Sequence, residues 1–96
     1  MSLKTVALRV KLSDVNFLKG IKSYRETYDL IINRLINECT HVIGQVDDNI
    51  VGTLQVFTIK MSDITKARLD VIAKERRMTR SEVFRRLIQA KAEGLC

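Results

Sequence analysis

The pentapeptide "VKLSD", Val10–Asp14, returns as "IKMSD", Ile59–Asp63. Polarity alternates around each copy. Val6, Leu8, Val10 and Leu12 are interleaved with Ala7, Arg9 and Lys11; Gln55, Phe57, Ile59 and Met61 are interleaved with Val56, Thr58 and Lys60. A period of two predicts a strand in each copy. One face then carries Leu8, Val10 and Leu12 with Phe57, Ile59 and Met61. The other carries Ala7, Arg9 and Lys11 with Val56, Thr58 and Lys60. Each strand is expected to end at Ser-Asp, where serine caps a helix and the acid suits the positive end of its dipole.

Helical spacing follows each strand. After the second, Thr65, Leu69, Ile72 and Ala73 share a face, predicting a helix over about 63–77. "TRSE", Thr79–Glu82, matches a capping box and opens a helix from Arg80 to about Glu93, with Val83, Leu87 and Ala90 in one stripe and Gly94 at the stop. After the first strand the pattern is weaker. A short helix is expected over about 14–22, and Thr27 can cap a second from Tyr28 to about Cys39. Val10 and Ile59 are 49 positions apart, whereas Thr27 and Thr79 are 52 apart. The first copy's opening helix and turn therefore read as three residues shorter. The segment between the copies, "THVIGQVDDNIVGT", has turn signals but is apolar at Val42, Ile43, Val46, Ile50 and Val51. It is expected to pack along the domain as a short hairpin.

A chain of 96 residues fits one domain. No apolar run approaches the ~20 residues of a membrane span, so no membrane partner is expected and an intracellular, cytoplasmic setting is. The net charge is +6, unevenly shared, with +1 over residues 1–48 and +5 over 49–96. Such a balance favours a polyanionic partner. Cys39 and Cys96 are the only cysteines; they form no disulfide framework, and Cys39 is expected to pack at a helix end. Cys39 with His41 supplies too few ligands for a metal site. A single histidine and the lack of a glycine-rich phosphate loop argue against an enzyme, and no cofactor or metal is expected.

Strand, helix, turn, helix, written twice, resembles the ribbon-helix-helix superfamily of the Arc and methionine repressors. "FTIKMSDITKARLDVIAKERRMTRSEVFRRLI" carries the resemblance best, through Leu69–Ala73 and Arg80–Ile88; "VALRVKLSDVNFLKGIKSYRETYDLIINRLI" is looser. The resemblance implies an α+β, mostly α fold. Two repeats, 1–39 and 54–96 joined by 40–53, would form one intramolecular two-stranded antiparallel ribbon over a four-helix core. It further implies a monomeric pseudo-dimer, of a kind found in archaeal viruses, that binds double-stranded DNA as a transcription regulator or repressor.

In that family the ribbon enters the major groove. Its matching positions here are Ala7, Arg9, Lys11, Val56, Thr58 and Lys60, expected to contact bases. The N-terminus of each second helix holds phosphate, which implicates Thr27 and Tyr28, and Thr79, Arg80 and Ser81; Arg25 and Arg77 lie next to these caps and add charge. Arg85, Arg86 and Lys91 are expected on the surface. Because one ribbon makes few base contacts, side-by-side assembly along DNA is also expected. The competing reading is an antitoxin-like or partner-binding protein that pairs ribbon-helix-helix units between chains.

Overall fold

Antiparallel pairing between Leu3–Val10 (β1) and Gln55–Ser62 (β2) joins the two copies of the repeated phrase into one ribbon. The computed structural model describes residues 3–48, 50 and 52–96. Four helices follow the strands: α1 (Leu12–Ile21) and α2 (Tyr28–Cys39) after β1, α3 (Asp63–Arg76) and α4 (Arg80–Ala92) after β2. The architecture is α+β, with a two-stranded sheet among the described residues. A two-stranded ribbon is marginal unless one face is covered. Here Val6, Leu8, Val10, Ile59 and Met61 are buried beneath it, against Leu18, Ile31, Ile32, Leu35, Leu69, Phe84, Leu87 and Ile88 in one continuous core. Residues that contribute to this core come from both halves of the chain, so neither half has a core of its own.

The helix boundaries follow from their caps. Thr27 Oγ1 accepts from the Leu30 N–H at 3.2 Å, Ser62 Oγ from Thr65 at 3.2 Å, and Thr79 Oγ1 from Glu82 at 3.1 Å. The predicted capping box at 79–82 is half made, since the Glu82 carboxylate turns to Arg86 instead of back to the cap. α4 stops at Gly94, where φ is +75° and the Leu95 N–H reaches the Ala90 carbonyl. That left-handed turn suits a residue without a Cβ. At the end of α3 the same conformation falls on Arg77, with φ +56°.

The first copy departs from the expected phrase. Its strand ends at Val10 and its helix starts at Leu12, which is 63% exposed and not on the inner face. Ser13 is not the cap. Lys11 holds that position, and the Asp14 carboxylate, three residues on, accepts the Lys11 backbone N–H at 2.9 Å. The structural counterpart of Ser62 is therefore Lys11, 51 positions away rather than 49. Val6, Leu8 and Val10 correspond to Phe57, Ile59 and Met61, and Ala7 faces its own counterpart, Thr58. Because the slip is two residues and the side-chain period is two, the inward and outward sets within the strands survive it. From cap to cap the first copy spans 16 residues and the second 17, so it is one residue shorter, not three. α1 is only 10 residues against 14 for α3, and a longer loop makes up most of the difference.

Between the halves, Thr40–Gln45 continues α2 as a 3-10 helix rather than a hairpin. Val42, Ile43 and Val46 are buried, as their apolar character predicts, but Ile50 is about half exposed; Val51 lies outside the described residues. Cys39 is buried at the end of α2, as expected, but it does not stand alone. Cys39 and Cys96 at the C-terminus form a disulfide, with Cα atoms 5.3 Å apart and a separation of 57 positions in sequence. It staples the first half of the chain to the last helix of the second.

A cross-link that closes a loop of this length removes much of the unfolded chain's freedom, worth ~4 kcal/mol in the chain-entropy account. Cys96→Ser, or reduction of the native protein, is expected to lower the unfolding free energy by roughly that amount. Far-ultraviolet circular dichroism at low temperature should stay unchanged, because the ladder and the helices are held by their own hydrogen bonds, although Cys39 is itself a core residue. Denaturant melts with and without reductant measure both quantities.

Candidate nucleic-acid interface

Alternation along the ladder decides which side chains face outward. On β1 these are Thr5, Ala7 and Arg9; on β2, Val56, Thr58 and Lys60, and all six are exposed. Thr5 lies opposite Lys60, Ala7 opposite Thr58, and Arg9 opposite Val56. The two long cations therefore sit at opposite ends of the face, on a diagonal. Lys11 does not belong to it. As the cap of α1 it lies past the end of β1, half-buried, with its Nζ 3.4 Å from Gln89 Oε1 of α4. Thr5 takes the sixth place instead; the alternating pattern could have been followed back to it from Ala7 through Val6.

The main chain of Arg9 is held at both of its polar groups by α4. Its N–H donates to Ser81 Oγ at 2.9 Å, and its carbonyl accepts from Arg85 Nη1 at 2.8 Å. Arg85 is itself buried and forks onto Asp48, with Nε and Nη2 at 3.0 and 2.8 Å from the two carboxylate oxygens. This corrects the expectation of a surface residue. The guanidinium is neutralised by Asp48 of the connecting segment. Arg86 is also drawn inward, to Glu82 and to the carbonyls of Ile43 and Val46, and Lys91 pairs with Glu38.

The N-termini of α2 and α4 flank the ribbon on opposite edges. Ser81 meets β1 at Arg9, and Asp29 of α2 meets β2 by accepting the Ser62 N–H at 2.8 Å. Thr79 and Ser81 line a hollow of about 490 Å³ together with Ala7, Arg9, Val56 and Arg85, which brings outward ribbon residues and the α4 terminus into one concavity. Arg80 is partly spent elsewhere, forked onto Asp70 of α3 at 2.6 and 3.0 Å. On the other edge Thr27 caps α2, and the Tyr28 ring packs edge-on against Phe57, 5.8 Å between centroids, with Lys22 above it. The larger surface groove, about 640 Å³ between α2 and α3, is apolar and contains none of these positions.

Residues 55–93 match the family described as "Ribbon-helix-helix protein, copG family". The whole chain is 44% identical over 96 residues to "Uncharacterized protein 29" of Sulfolobus islandicus filamentous virus, covering all of both sequences. This chain belongs to the ribbon-helix-helix family. No solved structure matches it significantly. The family match takes in β2, α3 and α4, the half whose sequence pattern is the more regular. It brings Val56, Thr58, Lys60, Thr79, Arg80 and Ser81 within a ribbon-helix-helix unit. Among the described residues no group of three or more His, Cys, Asp or Glu could hold a metal ion, and no helix is long and apolar enough to cross a membrane.

The electrostatics of the Asp48–Arg85 pair set a pH response. The Arg85 guanidinium donates to the Asp48 carboxylate and holds its pKa below the ordinary aspartate value, while the same contact raises that of Arg85. Asp14, two percent exposed, is shifted the other way because burial penalises its charge more than the Lys11 N–H stabilises it. The stabilisation from Asp48 is full above its unfolded pKa of about 4 and is lost as pH falls through its lower folded value. Asp14 acts with the opposite sign, since the fold favours its protonated form. Asp48→Asn is expected to lower the unfolding free energy at pH 7 by about 3 kcal/mol, as it leaves Arg85 without its counter-charge. It should also flatten the loss of stability below pH 4. Asp14→Asn should leave that acid limb in place. Urea melts of both variants across pH 2–7 separate the two carboxylates.

Proposed function

We propose that this ribbon-helix-helix protein is a sequence-specific, double-stranded-DNA-binding transcription regulator. It acts as a single-chain pseudo-dimer, with residues 1–39 and 54–96 as its two units and 40–53 as the connection. The observation that carries this reading is the ribbon's outer face. Six exposed side chains lie on two paired strands, and the backbone of Arg9, the longest of them, is fixed by Ser81 and Arg85. A two-stranded ribbon fits the major groove, whose base edges present distinct donors and acceptors. An arginine held at its main chain enters that groove with less ordering left to do on binding.

In this reading Arg9 and Lys60 contact guanine, Thr5 and Thr58 offer hydroxyls, and Ala7 and Val56 meet thymine methyl groups. Thr79 and Ser81 at the start of α4 hold a phosphate, supported by the helix dipole. The Ser81 oxygen accepts from Arg9 yet keeps its own proton to donate. Lys11 is left out of base reading because it lies past the end of β1 and turns its amine to Gln89. The paired strands are not alike, with Thr5, Ala7 and Arg9 against Val56, Thr58 and Lys60, so the subsite read is asymmetric. Nothing in this reading calls for catalysis. The disulfide is compatible with action inside a cell, because intracellular proteins of hyperthermophilic archaea retain such bonds, and the relative belongs to an archaeal virus.

Two measurements test the reading. At low micromolar concentration without DNA, light scattering should return the 11.0 kDa monomer. A mass of twice that, dissociating on dilution, favours pairing between chains. On a site selected from random DNA, Arg9→Ala and Lys60→Ala should each weaken binding by about 1–3 kcal/mol. On unrelated DNA the loss should be much smaller, with melting temperature nearly unchanged. Equal losses on both DNAs would reduce the two side chains to phosphate contacts.

A further inference from the structure

The two helix N-termini that flank the ribbon do the same structural task with different chemistry, and the consequence rests on the DNA-binding reading above. Two residues after the cap of α4 stands Ser81, a neutral hydroxyl bonded to Arg9 N–H. Two residues after the cap of α2 stands Asp29, a carboxylate bonded to Ser62 N–H. A carboxylate there opposes the helix dipole's attraction for anions and repels a phosphate. The α2 terminus is thus poorly suited to the phosphate contact that suits the α4 terminus.

The chain just before α2 differs as well. Six residues, 22–27, separate α1 from α2, whereas three, 77–79, separate α3 from α4. Within the longer loop Ser23–Glu26 forms a pinned turn. Glu26 N–H donates to the Ser23 carbonyl at 3.1 Å, and Glu26 Oε1 accepts the Ser23 N–H at 3.1 Å and its hydroxyl at 2.8 Å. The other oxygen of Glu26 pairs with Arg34. The turn's acid is therefore neutralised internally, and its two central residues, Tyr24 and Arg25, are presented outward. Tyr24 is 95% exposed, more than any other large apolar side chain among the described residues. Neither Lys22 nor Arg25 makes an ion pair among the described residues, and Lys22 is steadied over the Tyr28 ring at 5.4 Å.

We infer that the Tyr24-Arg25 turn, with Lys22, is the DNA-backbone contact on the β2 edge, in place of the α2 N-terminus. Arg25 and Lys22 meet phosphates, and Tyr24 lays its ring against a sugar while its hydroxyl donates to a phosphate oxygen. The contact is independent of sequence, since phosphates carry no base information. It lies beside the ribbon on one edge, so the protein covers more backbone on that side of its subsite than on the other. An aromatic ring held in water by a pinned turn, with unpaired cations on each side, has no packing role that would account for it.

The test uses the full chain, a duplex bearing a site selected from random DNA, and an unrelated duplex. The double variant Tyr24→Ala/Arg25→Ala is compared with wild type and with Arg9→Ala; its melting temperature should match wild type, because both side chains are exposed. It is expected to bind both duplexes ~10-fold more weakly, with the slope of log K against log salt reduced by about 1. Hydroxyl-radical protection should retreat on one side only. Unchanged affinity and slope, while Arg9→Ala still weakens the specific complex, overturns the role of the turn and leaves the DNA-binding reading standing. Loss confined to the selected site overturns the backbone assignment. Absence of binding by wild type to either duplex overturns both.

Discussion

Everything in this molecule depends on β1 and β2 pairing within one chain. An isolated two-stranded ribbon is at best marginal in water, and neither strand-helix-helix half has enough apolar surface to close a core alone. The ladder resolves both problems together. It places Val6, Leu8 and Val10 beside Ile59 and Met61 on one face, and that face is covered by helices from both halves. Alternation then leaves no choice about the opposite face: Thr5, Ala7, Arg9, Val56, Thr58 and Lys60 must point away. Burial below thus selects the residues available above, and a shift of one residue in either strand would exchange the two sets. The disulfide between Cys39 and Cys96 ties one half to the other, and the buried Asp48–Arg85 pair ties the connecting segment to α4.

What could be read from the amino-acid sequence was whatever depends on near neighbours. α2 begins and ends where threonine capping and three-four spacing place it, at Tyr28 and Cys39, and α4 begins at Arg80. The strands and their two faces follow from a period of two. The repeated Ser-Asp, by contrast, misled by two residues, because Asp14 can serve a helix start either from its first turn with Ser13 as cap or from three residues beyond Lys11. Local sequence does not choose between these. The packing of Val15 and Leu18 beneath the ribbon does. Within the strands the outward sets survived that error because two is a whole period, whereas Lys11, past the strand end, left the face.

The features that sequence spacing did not reveal all join distant positions. Arg85 meets Asp48 across 37 residues, Cys39 meets Cys96 across 57, and Ser81 meets Arg9 across 72. An arginine in a row of charges on a helix looks like a solvated one until the partner that desolvates it is known. Burial of Arg85 matters for the candidate interface, since its Nη1 holds the carbonyl of Arg9 while Ser81 holds the N–H. The guanidinium that reaches outward is thereby anchored by one that does not. Lys60, its diagonal counterpart, sits on the edge where α2 approaches through Asp29 and Ser62 instead. The two ends of the ribbon are supported by different bonds as well as carrying different side chains.

That difference bears on why two units would share one polypeptide. In a homodimer any residue that flanks one edge of the ribbon also flanks the other, so a carboxylate at the position of Asp29 would stand against DNA backbone twice. A fused chain is released from that identity. Ser81 and Asp29 occupy the same helical position with opposite consequences for an anion, and a six-residue loop precedes one helix where three residues precede the other. In the proposed single-chain pseudo-dimer, fusion would also remove the dependence of pairing on concentration, replacing it with an effective local concentration of ~mM. Concentration alone, however, would be served equally well by two identical halves. Under the proposed DNA-binding function, the divergence of their edges, beneath a core and ladder that stay nearly equivalent, is what an asymmetric target would select.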